Sequence, residues 1–209
     1  MRRVSLKGVS AAGAAIVMTV LTGSLIGCAT TKVERIGVDT TTDLSGRWND
    51  TDSRLVAEEM VKDVLSRPWL DRFSKQHRGK EPTVIVGTVL NQSHEHISIQ
   101  TFTKDLEREL TNDGRVQFVA SKSEREEVRE ERTDQQTQSS QETAKGLGKE
   151  IGADYMLKGV INTILDESGG TKVIFYQVDL ELFDLENNTK VWAGQKKIKK
   201  VIEKSRLGF

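Results

Sequence analysis

The chain predicts an α+β domain, with a four- or five-stranded mixed sheet ending in an antiparallel meander and helices packed mainly on one face. Three patterns point there. From Tyr155 to Ile202, apolar and polar residues alternate in runs joined by Gly169-Gly170 and Asn187-Asn188, as in hairpin-linked strands. Pro82 to Leu90 is a continuous apolar run with three Val and one Ile, which suits a well-buried strand. Between these regions apolar residues recur at helical spacing, giving βαβ character to the first half.

The polar cluster Gly46-Arg47-Trp48-Asn49-Asp50-Thr51-Asp52-Ser53 offers several helix N-cap candidates. The helix predicted after it, Asp52 to Ser66, places Leu55, Val56, Met60, Val61, Val64 and Leu65 on one stripe. Arg67-Pro68 interrupts it, and Pro68 suits the start of a short second helical turn that turns Trp69 and Phe73 inward. Asn91-Gln92-Ser93 ends the apolar strand. Phe102, Leu106 and Leu110 mark the next helix, stopped by Asn112-Asp113-Gly114, and Val116 to Ala120 reads as a short strand. Glu124 to Arg132 is a mixed-sign, solvated helix supported by i,i+4 pairs, expected to loosen over Gln135 to Gln141; a weak helix is predicted from Ala144 to Ile151. In the meander, Ile174, Tyr176, Val178, Leu180 and Leu182 share one face and Gln177, Asp179 and Glu181 the other; Val191 to Ile202 forms its last strand.

Composition narrows the class of function. A chain of 209 residues, 36% hydrophobic and 30% charged, accommodates one domain plus an extra segment. Its 31 basic and 31 acidic residues cancel, which argues against a nucleic-acid partner. A single Cys excludes a disulfide framework, and 3 His leave little for a metal or catalytic centre.

The amino terminus reads as an address. Arg2, Arg3 and Lys7 precede an apolar run from Val9 to Ile26, the pattern of a secretory signal peptide. Leu25-Ile26-Gly27-Cys28 resembles the bacterial lipobox, with cleavage between Gly27 and Cys28 and a lipid anchor on Cys28. The thiol supplies the thioether to diacylglycerol and Gly27 the small side chain that the peptidase accepts; the new amino terminus then takes a further acyl chain. Two or three chains give the stable membrane attachment that one does not. Ala29, rather than Asp, follows Cys28, which favours sorting to the outer membrane. Losing Arg2, Arg3 and Lys7 leaves 28 basic against 31 acidic residues. The expected organisation is residues 1–27 as signal peptide, 28–50 as lipidated Cys and flexible tether, and 51–209 as one periplasmic domain. As a flexible coil, the part from Ala29 to Gly46 spans about 25 Å.

No motif carries catalysis. His94-x-His96, with Glu95 between and His77 upstream, is the one cluster of metal-ligand flavour, yet on a helix the two rings would not face each other and no third ligand of clear spacing lies nearby, as for surface residues at a strand–helix junction. Gly146-x-Gly148 precedes no helix with a phosphate-loop Lys-Ser/Thr pair, and neither a Gly-x-Ser-x-Gly elbow nor Ser-x-x-Lys is present. No metal, cofactor or enzymatic activity is expected. Lys196, Lys197, Lys199, Lys200, Lys204 and Arg206 crowd the last strand and tail, where edge protection is favoured over attraction to an anionic partner.

The segments Gly46 to Ser53, Ala153-Asp154-Tyr155-Met156-Leu157-Lys158-Gly159, Leu180 to Glu186 and Val191-Trp192-Ala193-Gly194 resemble the LpoB-type penicillin-binding protein activator family. The resemblance covers roughly residues 44–203, and its Trp48-to-Asp52 segment is the more specific part. The Ala153-to-Leu157 segment is shared with curli-secretion lipoproteins. It implies a domain similar to the amino-terminal domain of TolB, and an outer-membrane lipoprotein that stimulates a class A, bifunctional peptidoglycan synthase. It supplies no partner-contact residue. Enteric members carry a longer tether than this chain. The alternatives are a subunit of a curli-type export pore or other envelope assembly, and a periplasmic metal-binding protein or hydrolase.

Overall fold

The computed structural model describes residues 32–138 and 150–203. Residues 32–37 belong to an amino-terminal unit ending at Gly37 and carry no helix or strand; all that follows concerns the unit beginning at Val38. The signal segment with Gly27 and Cys28, Gly146-x-Gly148 and the tail with Lys204 and Arg206 lie outside the described residues, as does all but Glu150 and Ile151 of the expected helix from Ala144, and those two residues are not helical.

Four helices and five strands follow in the order α1 (Asp50–Leu65), α2 (Pro68–Gln76), β1 (Thr83–Gln92), α3 (Ile99–Asp113), β2 (Gln117–Phe118), α4 (Lys122–Gln138), β3 (Tyr155–Ser168), β4 (Thr171–Asp184) and β5 (Lys190–Glu203). The sheet order is β2-β1-β3-β4-β5, with β1 parallel to both β2 and β3 and the last three strands antiparallel. The α+β class and the mixed five-stranded sheet are therefore as the sequence reads. Gly169 and Gly170 both take positive φ, as the tight turn between β3 and β4 requires.

The core lies between one sheet face and the first three helices. Tyr155, Leu157 and Ile161 of β3 share it with Ile174, Tyr176, Val178, Leu180 and Leu182 of β4. Against them pack Val56, Met60 and Val64 of α1, Trp69 and Phe73 of α2, and Phe102, Leu106 and Leu110 of α3. Trp69 also donates its indole N–H to the Val64 carbonyl at 2.7 Å, satisfying one of the carbonyls that the end of α1 leaves open and fixing the corner at Pro68. The opposite sheet face is solvated and carries Lys158, Gln177, Asp179 and Glu181.

Several boundaries differ from expectation for local reasons. Leu55, placed on the apolar stripe, is 46% exposed, because the buried set of α1 runs through Val56, Met60 and Val64 and Leu55 stands one helical step aside. The second helix is a full nine residues, not a single turn. The strand expected over Val116 to Ala120 pairs only at Gln117 and Phe118. Ser121 and Glu124 exchange backbone–side-chain bonds at 2.8 and 3.4 Å, a capping box that starts α4 and draws the chain off the sheet. Helix α4 then continues to Gln138 instead of loosening at Gln135, whose side-chain amide bonds to Glu131 at 2.8 Å. The charge run is thus a solvated helix, tied back by Arg129–Glu150 at 2.6 Å and Lys104–Glu124 at 2.5 Å.

Gly194 sits under the indole of Trp192, where a Cβ would meet the ring at 2.1 Å. The bare backbone lets Trp192 lie flat along β5 and donate its N–H to Asp63 of α1 at 2.8 Å. Gly194→Ala is expected to displace that ring and cost about 1–3 kcal/mol. A fall in the urea midpoint with unchanged far-UV circular dichroism checks it.

Candidate binding surfaces

The polar cluster before the first helix becomes a clasp. Asn49 caps α1 by accepting from the Asp52 N–H at 3.0 Å, while Asp52 accepts from the Asn49 N–H at 3.0 Å. Trp48 donates its indole N–H to Ser53 at 2.8 Å and packs edge-on against Phe102 and Tyr176, with centroids 6.1 and 5.6 Å away. Glu95, from the loop after β1, accepts the Trp48 backbone N–H at 3.1 Å and the Tyr176 hydroxyl at 2.9 Å. Lys200 closes the arrangement from β5, donating to Asp52 at 2.7 Å, to Asp43 at 2.6 Å and to the Arg47 carbonyl at 3.1 Å. The segment from Asp43 to Asn49 is thereby fixed to the first helix, the loop after β1 and the last two strands.

Charge explains why these groups stay ionised or neutral as they do. Burial works against the Lys200 ammonium, but Asp43 and Asp52 outweigh it and hold its pKa above the usual value. Burial, reinforced by the Glu95 carboxylate, pushes the Tyr176 phenol up and keeps it protonated. The bond from Lys200 holds Asp43 below the carboxylate norm.

The sequence-predicted candidates separate. His94 places Nδ1 2.8 Å from the Thr163 hydroxyl, His96 is exposed, and His77 donates from Nδ1 to the Phe73 carbonyl at 2.9 Å. The three do not converge, and among the described residues no group of three His, Cys, Asp or Glu is placed to hold a metal. Glu95, read only as part of that cluster, is instead the central acceptor of the clasp. Alternation supplied the signal for it: the side chain between two exposed residues points inward. The lysines of β5 also divide. Lys196 and Lys200 face α1 and pair with Glu59 and Asp52, whereas Lys197 and Lys199 stand exposed on the sheet's outer strand.

A second feature lies at the far end of the sheet. The start of β3, the end of β4 and the end of α2 enclose a cleft of about 420 Å³ lined by Phe73, His77, Asp154, Tyr155, Asp184 and Glu186, among others. The Ala153-to-Gly159 and Leu180-to-Glu186 segments of the family resemblance meet at this cleft. Asp154 accepts the Thr83 N–H at 2.7 Å, and Asp184 accepts the Glu186 N–H at 2.8 Å, so both are positioned by backbone.

Fold and surfaces together define a small α+β domain with a clasped amino-terminal approach. A family model described as peptidoglycan-synthase activator LpoB matches residues 52–198, and the chain belongs to that family. Among solved structures, the carboxy-terminal domain of LpoB from Escherichia coli is similar at 16% identity and TM-score 0.43, over 71% of this chain and 99% of that one. The NMR structure of E. coli LpoB matches at 13% identity and TM-score 0.40, over 97% and 96% of the two chains. Lipoprotein GNA1162 from Neisseria meningitidis matches at 13% and 0.36, over 60% and 88%. No curated protein matches the chain.

Two predictions follow from the clasp. Removing Lys200 leaves Asp52 buried without its cation, and Lys200→Met is expected to cost about 3–5 kcal/mol by urea unfolding. Tyr176 and Lys200 both ionise above their ordinary values of 10.0 and 10.5. Their stabilisation is therefore whole below about pH 10 and is lost as pH rises through the folded-state values. The urea midpoint should hold from pH 7 to 9 and fall above pH 10, less steeply in Tyr176→Phe.

Proposed function

We propose that this chain is a non-catalytic lipoprotein of the outer membrane, anchored through Cys28 with its domain in the periplasm, that binds a class A penicillin-binding protein and raises its peptidoglycan synthesis. Family membership over residues 52–198 carries the reading. The lipobox-like Leu25-Ile26-Gly27-Cys28 supports the anchor, and the clasp supports the division of labour between anchor and domain. An activator of this kind must bind the working state of the synthase more tightly than the resting state. A typical coupling of about 1–3 kcal/mol raises the working population roughly 5–150-fold at most. Lipid and tether then supply location and effective concentration, not the activating contact.

The test is synthase turnover with the lipid-free Cys28→Ser chain at saturating concentration. A rise in glycan polymerisation or cross-linking is expected from a class A synthase of the same organism. No binding and no rate change would turn the reading towards the envelope-assembly alternative. In cells, Cys28→Ser should abolish radiolabelled palmitate incorporation and complement poorly while the purified domain keeps its activity.

A further inference from the structure

Along α4 three guanidinium groups, those of Arg125, Arg129 and Arg132, act on a single carboxylate, Glu150. They border a groove of about 360 Å³ between β2, α4 and the residues that lead into β3. Its apolar wall is formed by Phe118, Val128 and Ile151, and the last two are 46% and 63% exposed. Its charged wall is formed by Arg125, Arg132 and Glu150, and no other carboxylate of α4 lines it. Arg129 takes both oxygens of Glu150 at 2.6 and 2.7 Å, so that carboxylate is already engaged. Arg125 Nε stands 3.8 Å from Glu150, beyond hydrogen-bond reach, and is buried without an acceptor. Arg132 makes no hydrogen bond or ion pair among the described residues. A buried donor left unmet is costly unless an acceptor from outside completes it. The edge of the sheet supplies an independent observation. Gln117 and Val119 turn their N–H groups to the Pro82 and Val84 carbonyls at 2.9 and 3.0 Å. Phe118, between them on the outermost strand, therefore directs its N–H and C=O away from β1.

We propose that this groove receives the carboxyl terminus of a peptide whose last residue is apolar. The terminal carboxylate accepts from Arg125 and Arg132, whose planar forks match its two oxygens. The last side chain covers Val128 and Ile151, which otherwise face water. The backbone N–H of that residue donates to the Phe118 carbonyl, as an extended segment added to a sheet edge does. A volume of about 360 Å³ lies at the small end of ligand pockets and suits a chain end, not a folded element. A free aliphatic acid satisfies the arginines equally but leaves the Phe118 backbone groups unused. The assignment goes beyond the proposed function and does not depend on it.

The lipid-free Cys28→Ser chain, labelled with ¹⁵N, is titrated with acetyl-Gly-Val-Leu carrying a free carboxylate. Its carboxamide, its form methylated on the Leu nitrogen, and octanoate serve as comparison probes. The free peptide should give saturable shifts at the amides of Phe118, Val119, Ala120 and Ile151. The carboxamide should bind at least about fivefold more weakly, because it lacks the charge. The N-methyl peptide should bind about threefold more weakly or worse, because it cannot donate to Phe118. Arg132→Gln should weaken the free peptide about threefold or more, leave the carboxamide unchanged and keep the urea midpoint, since Arg132 has no internal partner. Arg125→Gln repeats the test at the buried Nε. No saturable shift, equal binding of either altered peptide, or octanoate bound as tightly as the free peptide overturns the proposal, as does an Arg132→Gln chain that binds the free peptide like the parent.

Discussion

Lys200 and Asp52 form the least solvated ion pair among the described residues, with side chains 12% and 8% exposed. Two charges so placed repay their desolvation only when their remaining hydrogen-bonding capacity is met. Here it is: Asp52 shares its carboxylate with the Asn49 N–H at the helix cap, and Lys200 divides its donors among Asp52, Asp43 and the Arg47 carbonyl. The pair joins the first helix to the last strand, 148 positions apart in sequence. Helix α1 cannot shift along the sheet without exposing one of these charges to an unmatched environment. Trp192 to Asp63 and Lys196 to Glu59 add tethers along the same helix and set its direction on the core.

Glu95 ties the parallel half of the sheet to the same point. It leaves the end of β1, passes under Trp48 and reaches the Tyr176 hydroxyl in the middle of the meander. The two halves of the domain are thus held by polar contacts beside Phe102 and Ile97, where reduced solvation strengthens each bond. The amino-terminal approach is a structural member of the domain from Asp43 onward, because removing Trp48 would uncover Phe102 and Tyr176 together.

What was legible in the sequence follows the physics of periodicity. The alternation of Ile174, Tyr176, Val178, Leu180 and Leu182 fixed a buried face without any knowledge of its partner, because a strand's side chains have only two directions. Helix ends were less legible. Ser121 and Glu124 carried a capping-box spacing, but the apolar neighbours Val116, Phe118 and Val119 suggested a longer strand, and the cap prevailed. The clasp was legible only as a polar cluster. Its meaning depends on Glu95, Tyr176 and Lys200, which lie up to 157 positions from Asp43, and no local pattern encodes such a meeting. The cleft was similarly hidden: Asp154, Asp184 and Glu186 look like ordinary turn residues until β3 and β4 pair Tyr155 with Asp184.

That pairing also gives the domain a polarity. Tyr176 in the clasp and Asp184 at the cleft lie on one strand, eight residues or roughly 27 Å apart. The clasp therefore meets β4 along its first half, and Asp184 closes the strand at the cleft. The strand between clasp and cleft is part of the buried core, with Val178, Leu180 and Leu182 each about 1% exposed. Close-packed interiors transmit strain poorly as graded motion and well as rigid displacement. Clasp and cleft share no residue, so a substitution at one leaves the direct contacts of the other in place.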